Sequence, residues 1–301
     1  MKELLNLVKR NTKLFFKDKG MFLSSMITPL ILILLYVTFL ANVYRDSFNN
    51  ALPQGFTLDK HLINGFVGGW LFSSLLAVCT ITIAFCSNLL MVQDKSLGVI
   101  ADLTVSPIKR STLALGYFIS TCLVTMIICY LALGVGFIYL AVVGWYLKIT
   151  DILLIMLDVF ILILFGTTLS SIINYFLTTQ GQMSAIGTIV SCVYGFICGA
   201  YMPISQFGRG LQNVLMFLPG TYGTSLIHSH FMRGVLTELD NAIPAPGVVD
   251  SMMDSFDIRL SFFNHQVPNY VSFLIISLTT ICLLAIYILM NIYGKKRVKE
   301  R

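Results

Sequence analysis

Residues 62–92 read LINGFVGGWLFSSLLAVCTITIAFCSNLLMV, 31 consecutive positions without one Asp, Glu, Lys or Arg. A membrane span needs about 20 predominantly apolar residues to cross a hydrocarbon layer of about 30 Å. At about 1.5 Å per residue this run reaches roughly 46 Å, so one end projects beyond the membrane. Backbone N–H and C=O groups find no water partner in hydrocarbon, which leaves only helices and closed barrels as spanning structures. Strict polar–apolar alternation is absent, which excludes the barrel. The expected fold class is an all-α membrane protein.

Working outward, five further apolar runs follow the same logic. The predicted spans are 21–41, 62–92, 112–147, 152–178, 182–202 and 269–293. Across the 301 residues 56% are apolar and 11% charged, against roughly 25% charged in soluble domains. An even number of spans puts both termini on one side. That side carries Lys2, Lys9, Arg10, Lys13, Lys17, Lys19, the loop residues Lys95, Lys109 and Arg110, and Lys295, Lys296, Arg297, Lys299 and Arg301. These are 14 of the 20 Lys and Arg residues, so the positive-inside rule makes both termini cytoplasmic, and the expected location is the cell (plasma) membrane. The net charge of +6 then reports topology, and no nucleic-acid partner is expected. All seven cysteines lie inside apolar runs with no CxxC pair, so they read as small buried hydrophobes. The first 19 residues are too charged for a cleavable signal peptide.

The first 17 residues form an amphipathic helix. At 100° per residue Lys2, Asn6, Lys9, Arg10, Lys13 and Lys17 share an arc of about 100°, with Leu and Phe filling the rest. Such a helix suits the headgroup layer, either as an anchor alone or as a lever that also touches a cytoplasmic partner. The long 203–268 loop faces outward. It starts apolar at Leu211–Leu218, which suits a segment that dips into the membrane surface and returns, and Pro244, Pro246 and Gly247 mark an exposed turn.

Ionisable groups are scarce inside the spans. Asp158 is the clear exception, and an intramembrane carboxylate is a functional candidate by default, although a partner hydroxyl or the interface could satisfy it. His61, His228, His230 and His265 lie in or near outward loops and make a poor metal set. Gly223-Thr224-Ser225 lacks the second glycine of a nucleophile elbow, and no GxxxxGK[ST] phosphate loop is present. No catalytic, cofactor-binding or metal residues are therefore predicted. Two stripes stand out. Gly187, Ser191, Gly195 and Gly199 recur every four residues and allow close helix approach, within the chain or between subunits. Ser73, Ala77, Thr80, Ala84 and Ser87 share a face of the second span, where hydroxyls either satisfy the preceding turn or line a mildly polar pore.

Residues 93–111, QDKSLGVIADLTVSPIKRS, begin charged, place a glycine before a short helical stretch, and end on Ser-Pro-x-x-Arg. A second signature is Gly199-Ala200-Tyr201-Met202-Pro203-Ile204-Ser205, followed by Leu218-Pro219-Gly220-Thr221-Tyr222. Together with six spans and the N-terminal helix, these resemble ABC-2 type permeases over nearly the whole chain. The resemblance implies a single membrane domain that dimerises, as a homodimer or heterodimer, and docks ABC ATPase subunits. It implies that Asp94, Lys95, Gly98, Ile100, Leu103, Ser106 and Pro107 belong to the ATPase-coupling loop. ATP and Mg would be bound by the partner ATPase, and this chain would hold no cofactor. It also implies a re-entrant segment before the last span. The apolar spans and large outward loop favour export of a drug, peptide, toxin or lipid. The rival from another class is an ion-coupled secondary transporter, which usually needs midplane ionisable groups in repeated halves; Asp158 alone supports it.

Overall fold

A computed structural model describes residues 1–51, 58–105, 108–243, 247–263 and 265–293. The chain begins with α1 (Lys2–Lys17) and α2 (Lys19–Leu35), which passes through one π-helical turn (Tyr36–Leu40) into α3 (Ala41–Ala51). Next come α4 (Lys60–Ser87), α5 (Leu89–Ser96), α6 (Val99–Val105), α7 (Arg110–Val143), α8 (Ile149–Phe176) and α9 (Gln180–Ile197). A 3-10 turn (Ile204–Gln206) precedes α10 (Arg209–Leu215), α11 (Pro219–Ala242) and α12 (Val248–Ser255). The antiparallel hairpin β1 (Leu260–Phe262) and β2 (His265–Val267) leads into α13 (Asn269–Tyr293).

Five stretches are long and apolar enough to cross a membrane: Lys19–Asp46, Lys60–Ser96, Arg110–Val143, Ile149–Phe176 and Asn269–Tyr293. The chain is a multi-pass, all-α membrane protein. The predicted 182–202 span corresponds to α9, which falls outside that set and stops at Ile197. It stops because Gly199 takes φ +77°, a left-handed value that ends helices and that glycine adopts without strain. Its start is written in the sequence, since Thr179 and Gln182 form a reciprocal capping box. The first helical rod runs well past the predicted residue 41, to Ala51. Pro29 interrupts its hydrogen-bond ladder on the way.

α4 is the central column. Its residues are buried almost without interruption from Leu62 to Ser87, and α7, α11, α8, α2, α9 and α3 all pack on it. A helix apolar all round belongs inside, against protein on every side. Close approach is achieved through missing side chains. A Cβ on Gly166 of α8 would lie 2.9 Å from the Thr80 carbonyl oxygen of α4.

The 203–268 region is far more ordered than a surface loop. α11 is 24 residues long and packs between α4, α8 and α13. Pro219 opens it at a position where a missing N–H costs nothing. Behind it, the 255–258 segment ties α4, α11 and the 3-10 turn together, with Ser225 Oγ of α11 donating to the Ile258 carbonyl at 3.4 Å. The Trp70 indole donates to the Phe256 carbonyl at 3.0 Å, and Ser205 Oγ donates to the Ser255 carbonyl at 2.7 Å. The Asp257 carboxylate accepts from the backbone N–H groups of Ile204 and Ser205. Burial pushes the Asp257 carboxyl up to about 7, with those N–H donors opposing the rise.

Two outcomes follow from this packing. Gly234→Ala should lower the thermal unfolding midpoint, because the new methyl would lie 1.8 Å from the Tyr146 carbonyl oxygen and overpacking costs about 1–3 kcal/mol. An unchanged midpoint would contradict the contact. For Asp257 the folded state binds a proton that the unfolded state, with a carboxyl near 3.9, releases. Stability should therefore fall as pH rises from about 4 to about 7. Asp257→Asn should flatten that part of a melting-temperature profile.

Candidate functional site

Residues 93–105 fold into an elbow formed by the end of α5 and by α6, with Gly98 at its bend. Gly98 has φ +78°, a value forbidden to proline and unfavourable for residues with a side chain. Ser106 and Pro107 lie outside the described residues.

The elbow is fastened inward by two neighbouring side chains of opposite charge. Asp94 is buried and receives the Arg10 guanidinium of α1 in a forked contact, Nη1 to Oδ2 at 2.8 Å and Nη2 to Oδ1 at 3.3 Å. The Tyr117 hydroxyl of α7 donates to the same carboxylate at 2.5 Å. Arg10 Nη1 also donates to Asn11 Oδ1 at 2.8 Å. The hydrogen bond and charge of Asp94 raise the Arg10 pKa above its ordinary value against an opposing burial effect. Next in sequence, Lys95 reaches the C-terminal end of α8. Its Nζ donates to the carbonyls of Asn174, Tyr175 and Leu177 at 2.8, 3.0 and 3.3 Å. The Asn174 carbonyl also accepts from the Leu177 N–H at 3.3 Å, and carbonyls at a helix C-terminus carry the negative end of the helix dipole, so a cation is favoured there. Two adjacent residues thus bind the elbow to α1, α7 and α8.

The other predicted elbow residues divide by side. Ile100 and Leu103 pack against the hydrophobic core. Leu97 and Val105, outside that predicted set, are 66% and 89% exposed. A heptad or helical-face count would have found them, but only the packing shows which apolar positions remain uncovered.

The basic arc of α1 is split by the fold. Lys2, Asn6, Lys9, Lys13 and Lys17 are exposed, whereas Arg10 turns inward to Asp94. Leu7, Val8, Asn11 and Phe15 bury against the protein, chiefly against α7. α1 is therefore part of the helical bundle as well as amphipathic.

The two small-residue stripes also find their places. Ser73, Ala77, Thr80 and Ala84 are fully buried within this one chain. Their hydroxyls serve their own helix: Ser73 Oγ donates to the Trp70 carbonyl at 2.7 Å and Thr80 Oγ1 to the Ala77 carbonyl at 2.8 Å. Ser87 Oγ likewise donates to the Ala84 carbonyl at 3.3 Å. On α9 the stripe is broken. Gly187 faces open space, Gly195 lies under the Tyr201 ring, and Gly199 is beyond the helix end. Tyr201 folds back to donate from its hydroxyl to the Ser191 carbonyl at 3.1 Å. Exposed Ile189, Val193 and Phe196 leave α9 an uncovered apolar side.

At the opposite end, Asp158 has a partner that sequence did not reveal. His230 of α11 binds its carboxylate through Nδ1, where a hydroxyl or the interface had been expected. Asp151 caps the start of α8 by accepting from the Lys148 backbone N–H at 3.0 Å and pairs with Arg233 at 3.5 Å. His228 turns to the other side and meets Ser74 Oγ at 3.0 Å. α11 is thereby held to both α8 and α4. No spacing rule links residues 158 and 230, which lie 72 positions apart.

The Arg10–Asp94–Tyr117 group predicts a definite coupling. Removing one partner of a buried pair costs about 3–5 kcal/mol, and less here because the Arg10 side chain is 32% exposed. Arg10→Met and Asp94→Asn should each lower the unfolding midpoint, and the double variant should be less damaged than their sum by at least about 0.5 kcal/mol. Strict additivity would show that the two do not interact.

Comparison with known proteins gives one family match. The family model described as ABC-2 type transporter matches residues 2–232, a stretch that contains α1, the elbow, α9 and most of α11. No curated protein matches the chain.

Proposed function

This chain belongs to the ABC-2 type transporter family, and we propose that it is the permease subunit of an ATP-driven exporter whose ATP and Mg are bound by a separate ATPase subunit. The family supplies membrane subunits of transporters that normally pair with ABC ATPases. The observation that carries the coupling reading is the two-sided elbow. Its inner side is bound to α1, α7 and α8 through Asp94 and Lys95, and its outer side presents Leu97 and Val105 to whatever docks there. A contact that pushed on those apolar side chains would be transmitted directly to three helices, because both anchors sit within four residues of the bend at Gly98.

In this reading both termini and the elbow face the cytoplasm of a plasma-membrane protein, as the Lys and Arg distribution favours. α9 is the sixth, shorter span, and the α10–α11 segment is the re-entrant piece before α13. The coupling residues are Asp94, Lys95, Gly98, Ile100, Leu103, Ser106 and Pro107, with Leu97 and Val105 added. A second permease, identical or paralogous, covers the exposed sides of α9 and α2, where Ile27, Leu30, Ile31 and Leu34 are also uncovered. The cargo is a hydrophobic or amphipathic molecule leaving the cell, and rigid-body movement of the helices alternates its access.

The test is reconstitution with ATPase subunits encoded beside this gene, using a rhodamine-type dye as the transported probe. ATP should drive dye movement. Gly98→Pro should abolish it while membrane insertion persists, since proline cannot adopt φ +78°. Leu97→Asp with Val105→Asp should release the ATPase on purification. Normal dye export by the Gly98→Pro protein would remove the elbow from the mechanism.

A further inference from the structure

Beyond α11 the structure forms a cavity that the coupling reading does not use. It measures about 300 Å³ and is lined by Ser229, Arg259, Gln266 and Asn269 together with apolar Ile258 and Val267. It lies beside the first residue of α13, Asn269, where a membrane-crossing helix leaves the hydrocarbon. Aromatic residues flank the hairpin that leads into α13. Phe217, Phe262 and Phe263 form edge-to-face contacts at 5.4 and 4.8 Å, and Phe217, Phe263 and Tyr270 are exposed. An exposed tyrosine at a span end suits the headgroup layer.

Arg259 is the charged group of the cavity. One of its nitrogens, Nη2, donates to Asp250 Oδ1 at 2.8 Å and contacts Met253 Sδ at 3.6 Å. Nη1 and Nε have no hydrogen bond among the described residues. The Asp250 side chain is 63% exposed and that of Arg259 28%, so the pair is held loosely. It orients the guanidinium at the cavity and leaves two donor nitrogens for another acceptor. A guanidinium fork matches two oxygens of a phosphate. The Asn269 amide donates to Ser229 Oγ and keeps its carbonyl oxygen for a hydroxyl. The Gln266 side chain, opposite Ser261 in the hairpin register, adds a second amide.

Guanidinium, amides and an apolar wall in one cavity at the headgroup level correspond to one class of ligand. We propose that this cavity binds the phosphodiester headgroup of an anionic phospholipid from the leaflet on the α11–α13 side, with Arg259 on the phosphate and Gln266 and Asn269 on the headgroup hydroxyls. The inference rests on the membrane placement of α13 and is independent of ATPase coupling.

The experiment titrates the full chain in neutral detergent with dihexanoyl phosphatidylglycerol, and in parallel with inorganic phosphate, by calorimetry. The lipid should bind and inorganic phosphate should bind far more weakly. Arg259→Gln should weaken lipid binding about tenfold, the scale of one lost charged hydrogen bond. Asp250→Asn removes the competing carboxylate and should tighten binding a few fold, which a purely structural ion pair would not do. Either variant's melting temperature reports that it is folded. The proposal fails if Arg259→Gln binds as well as the parent, or if Asp250→Asn weakens binding in step with it. Equal, Arg259-dependent binding of inorganic phosphate would assign the cavity to a soluble anion and overturn the lipid assignment. Calorimetry needs neither ATPase nor cargo, so a negative result leaves the exporter reading standing.

Discussion

The burial of α4 on all sides by the protein itself is the constraint on which the other helices depend. Inside a membrane a helix satisfies its own backbone, and association between helices must come from close packing and a few polar contacts rather than from expulsion of water. α4 shows both. Ser73, Thr80 and Thr82 return their hydroxyls to the helix's own carbonyls, Ser74 meets His228 of α11, and its neighbours approach through glycines such as Gly166. A column enclosed in this way transmits displacement because closely packed interiors do not deform continuously.

Its two ends are then the places where polar chemistry collects. At one end the chain continues into α5, where Asp94 and Lys95 attach the elbow to α1, α7 and the end of α8. At the other, the Trp70 indole binds the Phe256 carbonyl, and the 255–258 segment gathers the turn after α9 and the side of α11. α11 occupies the space between, held by His228 to α4 and by His230 and Arg233 to α8. Polar ties thus fix both ends of the column, and midway along it the Ser74–His228 contact joins α4 to α11, an arrangement suited to helices that move as bodies.

Asp158 illustrates how such a design hides its logic from composition. A lone carboxylate in a span suggests ion coupling. With His230 beside it, the same carboxylate is one half of a structural tie between α8 and α11, parallel to the Asp151–Arg233 pair two turns away. The polar face of the second span changes meaning in the same manner. Ser73, Thr80 and Ser87 were compatible with a pore wall, and within this chain they face packed neighbours.

The sequence by itself determined the membrane class, the spans around α4, α7, α8 and α13, the amphipathic α1 and the bend at Gly98. These are legible because each rests on local periodicity, run length or a residue with restricted φ. The length of α11 was not legible, since its polar positions interrupt the apolar run and its burial comes from three distant helices. Nor were the partners of Asp94, Lys95, Asp158 and Asp257, which lie up to 84 positions away in the chain. Charge pairing depends on which helix faces which. Helix faces become neighbours only when the bundle closes around α4, so tertiary structure alone decided them.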